Sequence, residues 1–394
     1  MIYSKDKETW IRNIFLISFL VSIYLGFTEI LYVGLLLSYL IISIGIYCLY
    51  MHRNSWPPLI KSFWAVLLLL VFYFIIGEKN IHIPLAGFTV SVYNDVVFPY
   101  VFIMSLFIVS FYMGKEKMIN DKQMLLLLFL ITPFVILKYY QSFLLESQLY
   151  KGDVSIGNVT NNAGYLLVSL LPFLFLIKNR IIPIVLIGSI MYFVIFSGKR
   201  GAILLALVFV IYYGYEYYFR RKFSVINISL ILILVYVAYY IISYALFNND
   251  FLYGRFEMTM EGNSSSRDFI VERIWGDIVG PNSTAFSLLF GGGMGQSVRS
   301  AGNWAHNDWL EFLSMSGVIG ILVYLFFYIS ILRAVVQYRS KKKYMMIFVG
   351  CSLLLFMKSF FSMSLFMPGI NIYPLMIIMG YAYGNIISNN YRSV

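Results

Sequence analysis

Apolar runs of roughly 17–25 residues recur along the whole chain, parted by short polar loops. Each run is long enough to cross the hydrocarbon layer of a bilayer as a helix. The balance of residues agrees: 60% are hydrophobic, 12% are charged and the mean hydropathy is +0.81, outside the range of a soluble globular domain. The fold class expected is an all-α polytopic membrane protein, with residues 1–394 forming a single integral membrane domain. The first run lacks a small-residue cleavage site and is followed at once by another, so a retained helix is expected rather than a signal peptide. Cys48 and Cys351 both fall inside predicted spans, so no disulfide is expected, and no Cys/His spacing suits a metal.

Hydropathy places about twelve spans. The first begins near Ile11 and the second ends near Tyr50, with a turn around Glu29; a basic loop with His52, Arg53 and Lys61 follows. The third reaches Gly77, the fourth Met113, the fifth Tyr140, and the sixth closes at Lys178 and Arg180. The seventh ends at Ser197-Gly198-Lys199-Arg200-Gly201, the eighth at Arg220-Arg221-Lys222, and the ninth near Phe247. One long polar segment, 248–305, precedes the tenth, which ends at Arg333; the last two close near Ile387. With the N-terminus inside, 19 of the 29 Lys and Arg lie in inside loops and nine outside, with Lys358 within a span. The positive charge therefore reads as topology, not as a nucleic-acid surface. It puts both termini in the cytoplasm and segment 248–305 on the outer face.

The stretch Ala305-His306-Asn307-Asp308-Trp309-Leu310-Glu311 is where that segment meets the membrane again, and it holds one of only three histidines. Asp308 and Glu311 have capping-box spacing, which predicts a helix start with His306 just ahead of it. The positive end of a helix favours anions and a neutral imidazole. His306, Leu310, Leu313, Gly317 and Gly320 fall on one helical stripe, whose glycines allow close helix packing. A polar cap on a transmembrane helix accounts for this stretch about as well as a site does.

Upstream, Ser265 and Asp268 also have capping-box spacing, and Pro281 ends a short amphipathic helix between them. Its apolar face is predicted to carry Val271, Ile274, Trp275 and Ile278, with Arg267 on the same face. A guanidinium there is costly unless it meets an anion; snorkelling to lipid headgroups is the plainer account. Arg200 sits at the outer mouth in a glycine-flanked turn, where topology does not explain it and headgroup contact again competes. Lys199 reads as a solvated neighbour. Gly291-Gly292-Gly293-Met294-Gly295 could offer backbone N–H groups to a phosphate, or serve only as a flexible hairpin; Gly293, Gly295 and the nearby Arg299 enter the candidate substrate-binding set with Asn307 and Asp308. Asn161, Asn162 and Gly164 read as helix-start residues. The chain carries no P-loop, no HExxH and no outer Asp-x-Asp pair, so any donor on the outer face is expected in the membrane already. A lipid diphosphate fits two arginines and a neutral base.

Taken in order, Ser197-Gly198-Lys199-Arg200-Gly201, Ser266-Arg267-Asp268, Gly293-Met294-Gly295 and His306-Asn307-Asp308-Trp309-Leu310, with Leu313, Gly317 and Gly320 beyond, resemble the O-antigen polymerase and O-antigen ligase superfamily. The resemblance covers roughly Asn161 to Gly320; Trp309 departs from the smaller or different aromatic residue of many members. It implies a metal-independent, cofactor-free glycosyltransferase of the large membrane-embedded (GT-C-like) type. It would sit in a bacterial inner membrane with its site on the periplasmic side. The implied donor is a glycan on undecaprenyl diphosphate and the acceptor a sugar hydroxyl, with a chain-length regulator protein as a further partner. His306 would position or deprotonate the hydroxyl, and Arg200 and Arg267 would clamp the diphosphate. Polymerisation of repeat units into O-antigen or capsular polysaccharide is favoured, mildly, by the Ile, Phe, Tyr, Asn and Lys richness of an AT-rich gene. Ligation to lipid A core is the alternative within the family. A lipid-linked oligosaccharide flippase is the alternative outside it, but only Glu216 and Lys358 fall inside predicted spans.

Overall fold

The computed structural model describes residues 3–25, 31–84, 87–150, 163–179, 181–219, 267–281, 283–338 and 342–390, with isolated positions between 229 and 257. The ninth predicted span, the turn at Glu29, Asn161, Asn162, Arg220–Lys222 and Ser264–Ser266 lie, wholly or for the most part, outside the described residues. The helices are α1 (Tyr3–Leu25), α2 (Leu31–Met51), α3 (Pro58–Ile76), α4 (Phe98–Lys115), α5 (Asp121–Tyr150), α6 (Ala163–Ser169), α7 (Ile181–Phe196) and α8 (Arg200–Gly214). After the gap come α9 (Arg267–Val279), α10 (Ala285–Phe290), α11 (Gln296–Ala301), α12 (Asp308–Gln337), α13 (Lys342–Phe361) and α14 (Tyr373–Asn390). The two strands, β1 (Asn80–Ile83) and β2 (Phe88–Ser91), pair antiparallel in one hairpin.

Seven segments among the described residues are long and apolar enough to cross a membrane. Three shorter apolar helical segments, Thr9–Tyr24, Ala163–Leu176 and Ile181–Phe196, add to them. The chain is thus an all-α membrane protein in its described part. The sixth predicted span is not one continuous α-helix: α6 passes at Pro172 into a tight 3₁₀ turn over Leu171–Leu176. A proline ring removes one helical N–H and crowds the preceding turn, which is sufficient cause.

α4 and α14 form the centre of the bundle and are buried almost throughout. Glycine permits their approach: a Cβ at Gly380 would lie 2.3 Å from the Phe107 carbonyl oxygen, and one at Gly384 2.0 Å from that of Phe111. Apolar chains gain nothing by leaving lipid for one another, so backbone proximity of this kind is what packs helices in a bilayer. At one end of the bundle the helices are tied by polar contacts. Lys117 donates to Asn385 (2.7 Å), and Asp121 accepts from Lys343, Tyr344 and Tyr381. The candidate residues lie at the other end.

α12 is where the sequence pattern and the structure part company. Its N-cap is Asn307, whose side chain accepts from the Leu310 N–H at 3.2 Å, so the predicted Asp308/Glu311 capping box does not form. Gly317 (φ 62°, ψ −152°) breaks the helix. The stripe from His306 to Gly320 is therefore split. Leu310 and Leu313 pack with Ile270 and Ile274 of α9, while Gly317 lies against Leu288 and Leu289 of α10. The kink strips two carbonyls, Ser314 and Met315, of helical partners, and they accept from the N–H groups of Gly292 and Gly293 at 2.9 Å each. The part beyond the kink, 318–337, is about 30 Å long by helical rise, enough to span. Gly317→Ala is expected to destabilise the protein by more than ~1–3 kcal/mol, the backbone cost alone, because its Cβ would also lie 2.4 Å from the Leu288 carbonyl oxygen. A melting curve in detergent should show a clear fall in Tm.

Candidate functional site

His306 sits between α11 and α12 with φ at 52°, a positive value uncommon for any residue but glycine, though asparagine, aspartate and histidine adopt it more often than the rest. What holds it there is Glu311. This carboxylate is buried one turn inside α12 and accepts from the Ala305 N–H and from Ser297 Oγ (2.8 and 3.0 Å). It ties both the start of α11 and the residue before His306 to the helix. Asp308 is fully buried. It accepts from the N–H groups of Ser364 (2.9 Å) and Leu365 (3.0 Å) and from the Tyr324 hydroxyl (2.8 Å). Its carboxylate thus shapes the turn after α13 and does not line an open site. Trp309 completes the joint: its indole N–H donates to Ser359 Oγ at 2.9 Å, and its ring stacks on Tyr328 and Phe360.

That joint fixes Phe361, and the basic residues gather round it. Arg267, the first residue of α9, is exposed and donates from Nη1 to the Phe361 carbonyl oxygen at 3.1 Å. Arg200 opens α8 after a turn in which Gly198 has φ 62°. The adjoining Gly201 has no room for a side chain: a Cβ would lie 2.2 Å from the Tyr165 hydroxyl and 3.2 Å from Phe361 Cβ. Lys358, one turn before Phe361, is buried, donates to the Met363 carbonyl and lies 5.3 Å from the Tyr165 ring centre. Burial first, then the positive charges of Arg267 and Lys199, push the His306 imidazole down to about 4. The imidazole is therefore neutral and beside two cations. Arg267 and Gly201, the residue after Arg200, meet at Phe361, and His306 lies within the electrostatic reach of Arg267 and Lys199, so the three motifs come to one end of the bundle. The spacing of the motifs could not show that Lys199, Tyr165, Phe361 and Lys358 join them. Lys358 alone had a signal, an ammonium within an apolar run.

α9 forms as predicted, but its buried face is Ile270 and Ile274; Val271 and Trp275 are exposed. The apolar stripe is rotated because α9 packs against Ala301, Ala305 and Leu310. Arg267 stays in register with the buried face, three and seven residues before those isoleucines.

The glycine segment stands apart from this cluster. The N–H groups of Gly292 and Gly293 are engaged by α12, so two of the donors a phosphate cradle would need are taken. Gly295 is left-handed and packed on Ile81 of β1. Arg299 braces the same loop. It donates to the carbonyls of Gly292 (2.7 Å) and Met294 (3.0 Å), to Gln296 (3.2 Å) and to Glu78 (3.2 Å). Gly293, Gly295 and Arg299 are thus partners of one another and of Glu78 and Ile81 in the segment after α3, not of His306. Asn307 is spent as a cap. Among the described residues, no three His, Cys, Asp or Glu side chains converge as metal ligands. No family model matches the chain, and no curated protein matches it.

Proposed function

We propose that this protein is a membrane-embedded glycosyltransferase that polymerises oligosaccharide repeat units carried on undecaprenyl diphosphate. It would work on the outer face of a bacterial cytoplasmic membrane, with both termini inside. The observation that carries the reading is a neutral histidine held in a strained backbone next to Arg267 and Lys199, in a chain built for the bilayer. Strain of this kind persists only where the surroundings enforce it, and it collects at functional sites.

In this reading the acceptor hydroxyl attacks the anomeric carbon of the donor glycan. The bond from that carbon to the diphosphate oxygen breaks, the hydroxyl proton passes to His306, and polyprenyl diphosphate leaves. Charge develops on the leaving oxygen, and the guanidinium groups of Arg267, held on the Phe361 carbonyl, and of Arg200 would stabilise it. The diphosphate also alters the base. Two of the three influences that depress His306 are the cations Arg267 and Lys199, and an anion docked on them offsets both. The imidazole becomes a stronger base as the donor arrives.

The pH dependence follows with a definite sign. Protonated His306 is inactive as a base, so kcat/KM, which reports the free enzyme, is expected to fall at acid pH with a limb near 4, not near the ordinary 6.5. Arg267→Gln removes one of the depressing charges and should move that limb upward while lowering turnover. The test of the proposal is release of free polyprenyl diphosphate, with growth of the glycan, by purified protein given a polyprenyl-diphosphate-linked oligosaccharide. Activity equal in wild type and Arg267→Gln would remove the arginine from the reading.

A further inference from the structure

A cavity of about 840 Å³ lies between the end of α3 and the glycine loop, away from the residues of the proposed transfer reaction. Its walls at one end are Phe72, Ile76, Phe286 and Phe290; at the other they are Glu78, Arg299 and the glycines Gly291–Gly293. Phe72 and Ile76 lie four residues apart on a helix long and apolar enough to span, and both are more than half exposed. An exposed face of such a helix meets lipid, so the cavity opens sideways to the bilayer. α10, which supplies Phe286 and Phe290, has no buried side chain. It is tethered to α3 where the Tyr73 hydroxyl donates to the Phe290 carbonyl.

The polar end carries one charge of each sign. Arg299 and Glu78 form an ion pair at 3.2 Å with both side chains partly open, and the four acceptors around Arg299 use four of its five N–H groups. We infer that this cavity is a binding site for a zwitterionic phospholipid with a primary ammonium head, phosphatidylethanolamine by class. An acyl chain lies between Phe72, Ile76, Phe286 and Phe290, the phosphate meets Arg299, and the ammonium donates to Glu78. A purely anionic head would satisfy the arginine and meet repulsion from the glutamate. A choline head has no N–H to give the carboxylate. The lipid would brace the loop whose Gly292 and Gly293 hold the α12 kink, and this site stands whether or not the chain transfers glycans.

The test is native mass spectrometry of the full-length protein in detergent, with phosphatidylethanolamine, phosphatidylglycerol and phosphatidylcholine competing in equal amounts. The expected result is one retained phosphatidylethanolamine, favoured at least tenfold over either rival. Glu78→Gln should bring that preference close to parity, and Ile76→Trp, which fills the apolar end without touching either charge, should abolish retention. Equal retention of all three lipids, preference for phosphatidylglycerol, or a preference unchanged in Ile76→Trp would each overturn the inference. If Glu78→Gln does not fold, the wild-type preference and Ile76→Trp decide it.

Discussion

Replacing His306 with asparagine is expected to leave the protein folded and, under the proposed function, to lower glycan transfer by about 10²–10⁴-fold, the usual worth of general-base help. The choice of residue matters. His306 has a left-handed backbone, and asparagine tolerates that region far better than most residues do. Asparagine therefore keeps the fold, or improves it slightly, while offering no base. Alanine removes the imidazole as well but bears a larger backbone cost at positive φ than histidine, so its effect on activity would be mixed with an effect on stability. A melting temperature equal to or above wild type, with transfer near background, is the expected pair of measurements. Transfer at the wild-type rate in His306→Asn would end the base role.

Asp308→Ala produces the opposite signature, loss of the folded protein itself. The carboxylate is fully buried and is the acceptor for three backbone N–H groups, those of Ser364, Leu365 and Phe366, and the Tyr324 hydroxyl. Lys358 and Asp308 also act on each other by charge. Each buried group left unmet costs ~1–3 kcal/mol, and stripping a buried charge of its partner costs ~3–5 kcal/mol. These costs are not additive, but even one is a large share of an ordinary folding free energy. Size-exclusion chromatography in detergent should show aggregate in place of a monodisperse peak. Asp308→Asn keeps the shape and part of the accepting capacity, so its peak should be smaller but present. A monodisperse, wild-type-like Asp308→Ala protein would show that the turn at 364–366 holds without it.

The contrast between these two neighbours marks what could be read from the sequence. Hydropathy is a property of composition over about twenty residues, so the apolar helices were legible, as was the short helix that carries Arg267; Arg200, read as part of a turn, opens α8 instead. The polar residues at the His306 stretch stood out because the chain has so few. Their roles did not follow from order alone. Asp308 and Glu311 have capping spacing, yet both turn inward, because the turn after α13, the start of α11 and the Ala305 backbone need acceptors that only tertiary structure reveals. Gly317 looked like a small residue for helix packing, but its positive φ makes it a hinge. That hinge in turn gives the glycine segment a structural partner. Arg299 was grouped with the site by proximity in sequence, and its guanidinium went instead to Glu78, more than two hundred residues earlier. Lys199 passed for a solvated neighbour because nothing in the sequence brings α7 and α8 to His306.

The most direct measurement is the length of surface polysaccharide on a gel, from cells lacking this gene and complemented with wild type or His306→Asn. The proposed function predicts a glycan truncated to one repeat unit on lipid A core, lengthened by wild type and not by the variant. Full-length chains left on undecaprenyl diphosphate, with bare core at the surface, would contradict polymerisation and point to ligation. Normal chain length with His306→Asn would contradict the catalytic site itself.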